Sequence, residues 1–226
     1  MLTFHIITLF PQTFKSYLGE SIIARAIREK HIAVKFYNPR DFTLRLRSGQ
    51  AKDKWARVDR RPYGGGPGMV IQAEPVIKAI GKAYSLIRAN KRITTKIIWL
   101  TPSGKQFDTK LAKNYAKKYT DIIFICGRYE GIDARVKRVY KVEEVSVGPF
   151  VLTGGELPAM MVMDCISRQI EGVLGDINSL EENRVASPDV YTRPESFKYK
   201  GKNYKVPKVL LSGHHGRIEQ WRTKKS

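Results

Sequence analysis

The sequence predicts an α/β domain built on a mostly parallel sheet, and three observations carry that expectation. Short runs of β-branched and apolar residues alternate with amphipathic segments of helical period. One run, DIIFICG, is apolar throughout, as a strand covered on both faces has to be. The 226 residues, 42% of them hydrophobic, suffice for one good-sized domain, or for one with a small appendage.

The elements follow in order. LTFHIIT reads as a first strand; after Pro11 comes a helical segment, GESIIARAIREKH, with Ile22, Ile23, Ala26 and Ile27 at helical spacing. IAVKFYN is a second strand. RLRSGQAKDKWARVDRR carries seven basic residues against two acidic ones and runs into the barest loop in the chain, RPYGGGPGMV. That loop is no P-loop, because Gly68 is followed by Met69 and Val70 rather than by Lys and Ser or Thr. A turn with positive backbone angles is the plainer reading. The segment 74–89 forms an amphipathic helix with Pro75 in its first turn. TTKIIWLTP is a strand closed by Pro102, and DTKLAKNYAKKY is a helix capped by Asp108. A later helix has Pro158 in its first turn, with Met160, Met161 and Met163 as core filler. Asp164 and Arg168 are spaced as a helical ion pair, which leaves Arg168 open between that role and catalysis. Beyond Gly175 the chain turns polar and aperiodic, a linker, and then ends in a short Lys-rich appendage that opens a basic helix.

Lys and Arg number 41 against 21 Asp and Glu, a formal charge of +20. Such a charge repels itself in the compact state and attracts polyanions, so nucleic acid leads as a partner. The apolar runs are too short to span a membrane, and the first residues lack the pattern of a secretory signal. Cys126 and Cys165 read as buried free thiols of a cytoplasmic protein. The histidines have no zinc-type spacing, so no metal site is read.

Three strand ends carry unusual chemistry: WLTPSG, CGRYEGID and SVGPFVLTGGELPAMMVMD. In open parallel sheets ligands bind beyond the carboxyl ends of strands. In the third, glycine with apolar residues, and no Lys or Ser between Gly148 and Gly155, suits a small ligand met by backbone groups rather than a phosphate.

PRDF, RPYGGGPGM, CGRYEGID, VLTGGELPAMMVMD and YTRPE occur in the order seen in bacterial tRNA (guanine-N1)-methyltransferases, and the chain resembles that TrmD family over nearly its whole length. The resemblance implies a SPOUT-type parallel sheet with a deep C-terminal trefoil knot, in a homodimer whose active site is shared between subunits. It implies methylation of N1 of the guanosine at tRNA position 37, just 3′ of the anticodon, with S-adenosylmethionine as donor. Domains follow: residues 1–175 for methyl transfer, 176–190 as linker and 191–226 as a truncated basic segment for tRNA. By the same resemblance the donor is held by Leu100, Thr101 and Pro102, by Gly127 and Glu130, and by Val147, Gly148, Pro149, Phe150, Val151 and Leu152 with Gly154 and Gly155. The glycine loop shapes the entry of the target guanine. Arg168 matches the arginine that stabilises charge developing on O6. The family's activity also suggests magnesium.

The chain departs from the family pattern in four places. Asn183 stands where the family's basic aspartate belongs, and an amide is no general base, so Glu182 is the substitute candidate and Asp189 the outsider. Arg60 follows Asp59 where the family pairs two aspartates, Pro149 follows Gly148 in the knot loop, and the chain stops soon after Arg222. Two other readings stay open: a catalytically weakened tRNA-binding homologue, and a SPOUT methyltransferase with a different RNA target.

Overall fold

A computed structural model describes residues 1–43, 57–87, 94–175 and 189–223. They fall into two compact units, Met1–Val173 and Leu174–Ser226. The first is built on five strands: β1 (Leu2–Ile7), β2 (Ile32–Tyr37), β5 (Thr95–Gln106), β6 (Asp121–Cys126) and β7 (Glu143–Ser146). They lie in the order β2-β1-β6-β5-β7, every pair parallel. Two short strands, β3 (Asp59–Arg60) and β4 (Val70–Ile71), form an antiparallel ribbon that brackets the glycine loop.

Helices cover both faces, which is why the central strands are apolar without alternation. On one face Phe4, Ile6, Ile98, Ile122 and Phe124 pack against α2 (Ser21–Arg28), α4 (Thr109–Lys118) and α6 (Glu156–Ser167). A four-residue α1 (Lys15–Leu18) leads into α2. On the other face Ile7, Ile97, Trp99, Ile123 and Ile125 pack against α3 (Ala73–Ile87) and the short α5 (Val136–Val139). Asp108 caps α4 as its sequence predicts, its Oδ1 accepting the Leu111 N–H at 2.7 Å.

Three readings are corrected. β5 does not close at Pro102 but runs on to Gln106, its register against β7 shifting between Leu100 and Lys105. Proline has no N–H for a ladder, so it sits in that irregularity rather than ending the strand. Met161 is not core filler: it is 51% exposed, while Met163 is buried. Cys165 is only half-buried, although neither Cys126 nor Cys165 is in a disulfide.

The second unit holds a hairpin of β8 (Ser196–Tyr199) and β9 (Lys202–Lys205), then α7 (Lys208–Leu211) and α8 (His215–Thr223). The sequence promised only a basic helix here. The hairpin turns on Lys200 and Gly201, both at positive φ (46° and 75°), the pairing a two-residue type I′ connection requires. No helix among the described residues is long and apolar enough to cross a membrane.

Candidate active site

The carboxyl ends of β5, β6 and β7 converge on a cavity of about 320 Å³. β5 supplies Leu100, Thr101 and Pro102; the turn after β6 supplies Gly127 and Glu130. The loop after β7 supplies Val147, Gly148, Phe150, Val151 and Leu152, then Gly154 and Gly155. Of the residues picked out in the sequence for the methyl donor, Pro149 alone is not among the lining. The chain reaches this arrangement by crossing back from the edge strand β7 over the ends of β5 and β6. Gly155 donates its N–H to the Gly127 carbonyl at 2.9 Å. A Cβ on Gly155 would lie 2.7 Å from the Cα of Cys126, so only glycine allows the two backbones to touch. Ser146 ties the start of the loop, its hydroxyl donating to the Gly148 carbonyl at 2.9 Å.

The glycine loop is fastened to the rim of this cavity. Glu130 N–H donates to the Met69 carbonyl at 3.0 Å, Ile71 N–H to Gly131 at 3.0 Å, and Asp133 N–H to Ile71 at 2.9 Å. Gly64, Gly65, Gly66 and Gly68 all have positive φ, as the plain reading of the loop expects. At Gly68 a Cβ would lie 2.6 Å from the Glu130 carboxylate, so that acid packs directly on the loop backbone.

Beneath the rim is a polar cluster that no single motif reveals. Glu156 opens α6 and is 2% exposed. Its Oε1 accepts the Thr8 hydroxyl at 2.7 Å. Its Oε2 is 2.8 Å from Arg128 Nε, an ion pair in which the N–H is not aligned as a hydrogen bond. Arg128 also donates to the Thr153 carbonyl at 3.3 Å, and its guanidinium lies 4.8 Å from the Phe10 ring centre. One arginine thus links the β1 exit, the β6 turn and the β7 loop. Arg128 and Glu156 stand inside CGRYEGID and GGELP, but positions 8, 128 and 156 become neighbours only through the sheet order. Below them, burial and the Glu156 carboxylate push the Cys126 thiol well above its ordinary range, so it is neutral and no nucleophile.

Arg168 does not join the cavity. It caps the far end of α6, its N–H donating to the Asp164 carbonyl at 3.0 Å. At 1.5 Å per residue Arg168 is about 20 Å along the helix from Gly155, beyond the reach of one side chain. The Asp164 carboxylate accepts from the Tyr17 hydroxyl, whose pKa is raised by burial and by that bond. Glu182 and Asn183 lie outside the described residues; Asp189 is exposed in the second unit.

In size and lining the cavity suits a compact, largely apolar ligand that carries a positive centre. Leu100, Val147 and Leu152 offer an apolar wall, glycine-rich turns offer backbone groups, and Glu130 offers a carboxylate.

The model of the family described as tRNA (Guanine-1)-methyltransferase TrmD matches residues 2–226. A tRNA (guanine-N(1)-)-methyltransferase of Dictyoglomus turgidum is 42% identical over 230 residues, covering 100% of this chain and 85% of that protein. Its counterpart in Clostridioides difficile is 43% identical over 229 residues, covering 99% and 91%. The crystal structure of the tRNA (m1G37) methyltransferase from Aquifex aeolicus superposes with a TM-score of 0.74 at 36% identity, over 99% of this chain and 88% of that one. The parallel α/β sheet, the cavity at its strand ends and these full-length likenesses agree, and the chain belongs to the TrmD family of tRNA (guanine-1)-methyltransferases.

Proposed function

We propose that the protein transfers the methyl group of S-adenosylmethionine to N1 of the guanosine at tRNA position 37. The observation that carries this is the cavity, formed by the same three strand ends that bear the family motifs. The donor supplies an electrophilic methyl group on a sulfonium. Leu100 to Pro102, Gly127, and the loop 147–155 hold it; Glu130 faces both donor and glycine loop, with Gly68 at its back. N1 lies on the pairing edge of guanine, so the base must be unpaired before the methyl can reach it. The open glycines let it approach backbone closely. Arg168 offsets charge gathering on O6, and Glu182 takes the N1 proton, a role worth about 10²–10⁴-fold.

The distance of Arg168 from its own chain's cavity supports a homodimer in which each cavity is completed by the other subunit. Leu157 and Met161, one turn apart on α6, are both exposed, an apolar face suited to that contact. The trefoil knot in this reading rests on membership of the family. We assign residues 1–175 to catalysis, 176–190 to the linker that brings Glu182 to the site, and 191–226 to tRNA binding, in the cytoplasm. Magnesium belongs to this reading too. No group of three or more candidate metal-ligating side chains occurs among the described residues, so these offer magnesium no site of their own.

The test is methyl transfer from labelled S-adenosylmethionine to an unmodified tRNA transcript with guanosine at position 37. Transfer to N1 that falls at least a hundredfold in Glu182→Gln and in Arg168→Ala is expected. An inactive native chain restored by Asn183→Asp would show a disabled enzyme, the second reading that Asn183 itself favours. Chelation by EDTA is expected to slow transfer, with recovery on adding magnesium.

A further inference from the structure

In the second unit the β8–β9 hairpin is exposed along its whole length, with no helix or further strand of the described residues laid over it. Its cross-strand register pairs Phe197 with Tyr204 and Tyr199 with Lys202, and Lys198 with Asn203. Alternate residues of a strand share a face, so Phe197, Tyr199, Tyr204 and Lys202 stand together on one side. The Phe197 and Tyr204 rings are stacked, with centroids 5.4 Å apart and planes 16° from parallel. Their flat surfaces stay in water: Phe197 is 58% exposed, Tyr199 59% and Tyr204 46%. Soluble surfaces rarely leave three aromatic rings together without a partner.

Charge decides what that partner is. From Ser196 to Lys205 the hairpin bears Lys198, Lys200, Lys202 and Lys205 and no acidic residue. Lys200 Nζ lies 5.5 Å from the Tyr199 ring centre, so ring and cation are adjacent at the tip. An apolar protein helix laid on the rings would meet Lys202 and the tip Lys200 with no acidic residue of the hairpin to offset them, and a duplex would offer no free base to the rings. A single-stranded polyanion with planar bases satisfies both features at once. We propose that the β8–β9 hairpin is a stacking platform for unpaired nucleotides of the RNA substrate, with Tyr199 as its exposed stacking ring and Lys200 and Lys202 as phosphate contacts. The choice of RNA rests on the proposed methyl transfer to tRNA; the platform itself rests on the hairpin alone.

The experiment measures binding of the full chain to a fluorescent dodecauridylate and to unmodified tRNA by anisotropy, for native protein and for Tyr199→Ala, Tyr199→Phe and Tyr199→Leu. Loss of one stacked base corresponds to roughly 5- to 150-fold weaker binding. The expected result is a loss in that range for both Ala and Leu, with Phe within about twofold of native. Tyr199 is largely exposed, so its removal leaves packing intact, and an unchanged circular dichroism melt checks this. Replacing Lys200 and Lys202 by Ala keeps the rings and should flatten the salt dependence by roughly 0.7 per lost phosphate contact. Native-like binding by Tyr199→Ala, or retention by Tyr199→Leu, overturns the platform; so does a loss of self-association in place of a loss of RNA. Methyl transfer separates the two readings. If the native chain methylates tRNA and Tyr199→Ala leaves the KM for tRNA unmoved, the platform falls and the reaction stands. If the native chain methylates nothing while Tyr199→Ala loses RNA, the reaction falls and the platform stands.

Discussion

His5 sits 1% exposed on β1, between two partners that fix its proton. The Asp121 carboxylate can only accept, so His5 Nε2 donates to it at 2.9 Å; Nδ1 then accepts from the Tyr37 hydroxyl at 2.9 Å. Burial lowers the pKa of His5 from 6.5, against the raising influence of Asp121 and with a small further lowering from Lys35. The unfolded chain therefore binds the extra proton first, and stability falls as pH drops below about 6.5. Urea midpoints recorded between pH 7.5 and 5 should decline in the native protein and decline less in His5→Gln, which starts from lower stability. The Arg128–Glu156 pair makes a second prediction at this scale. Arg128→Met strands a buried carboxylate and should cost on the order of 3–5 kcal/mol, whereas Arg128→Met with Glu156→Gln recovers much of it. Denaturant melts of the single and double variants check the pair, and a double variant no better than the single would refute it.

Among the elements, β5 and α6 place the chemistry. The irregularity between Leu100 and Lys105 swings Thr101 and Pro102 into the cavity wall, and it holds only because Gly104 lets the backbone of Val145 lie against it. Gly104→Ala forces that contact apart, with an expected loss of about 1–3 kcal/mol and weaker donor binding, read by urea titration and calorimetry. α6 joins two functions at opposite ends, the cavity at Gly155 and Arg168 at its C-terminus. Its exposed Leu157 and Met161 are the contact proposed between subunits. Met161→Glu should yield monomers by sedimentation and lose methyl transfer, since neither half-site is then complete. An active monomer would remove the case for a shared site.

At the scale of the whole molecule, a charge of +20 repels itself in the compact state and attracts polyanions, which fits the proposed tRNA substrate. The affinity for tRNA should fall steeply with salt, with a log–log slope steeper than about −3, as several phosphate contacts require. A flat dependence would mean that the basic surface does not grip the backbone. How much of this was legible without coordinates differs from residue to residue. DIIFICG announced a doubly covered strand because burial on both faces demands unbroken apolarity. RPYGGGPGM announced its positive angles because only glycine adopts them in series. TTKIIWLTP misled at Pro102, because a proline that ends a strand and one that sits in a bulge look alike from local chemistry. The hairpin at Ser196–Lys205 was missed because alternation of aromatic and lysine lacks the buried face by which strands are usually known.

Composition, period and motif, all local properties, settled the parallel α/β class, the basic character and the strand ends that carry the site. Which residues meet across the chain was decided by tertiary structure. Thr8, Arg128 and Glu156 come together through the strand order β2-β1-β6-β5-β7, and Glu130 meets Gly68 through the docked loop. Such meetings depend on how distant segments are threaded, and no window of sequence contains both partners.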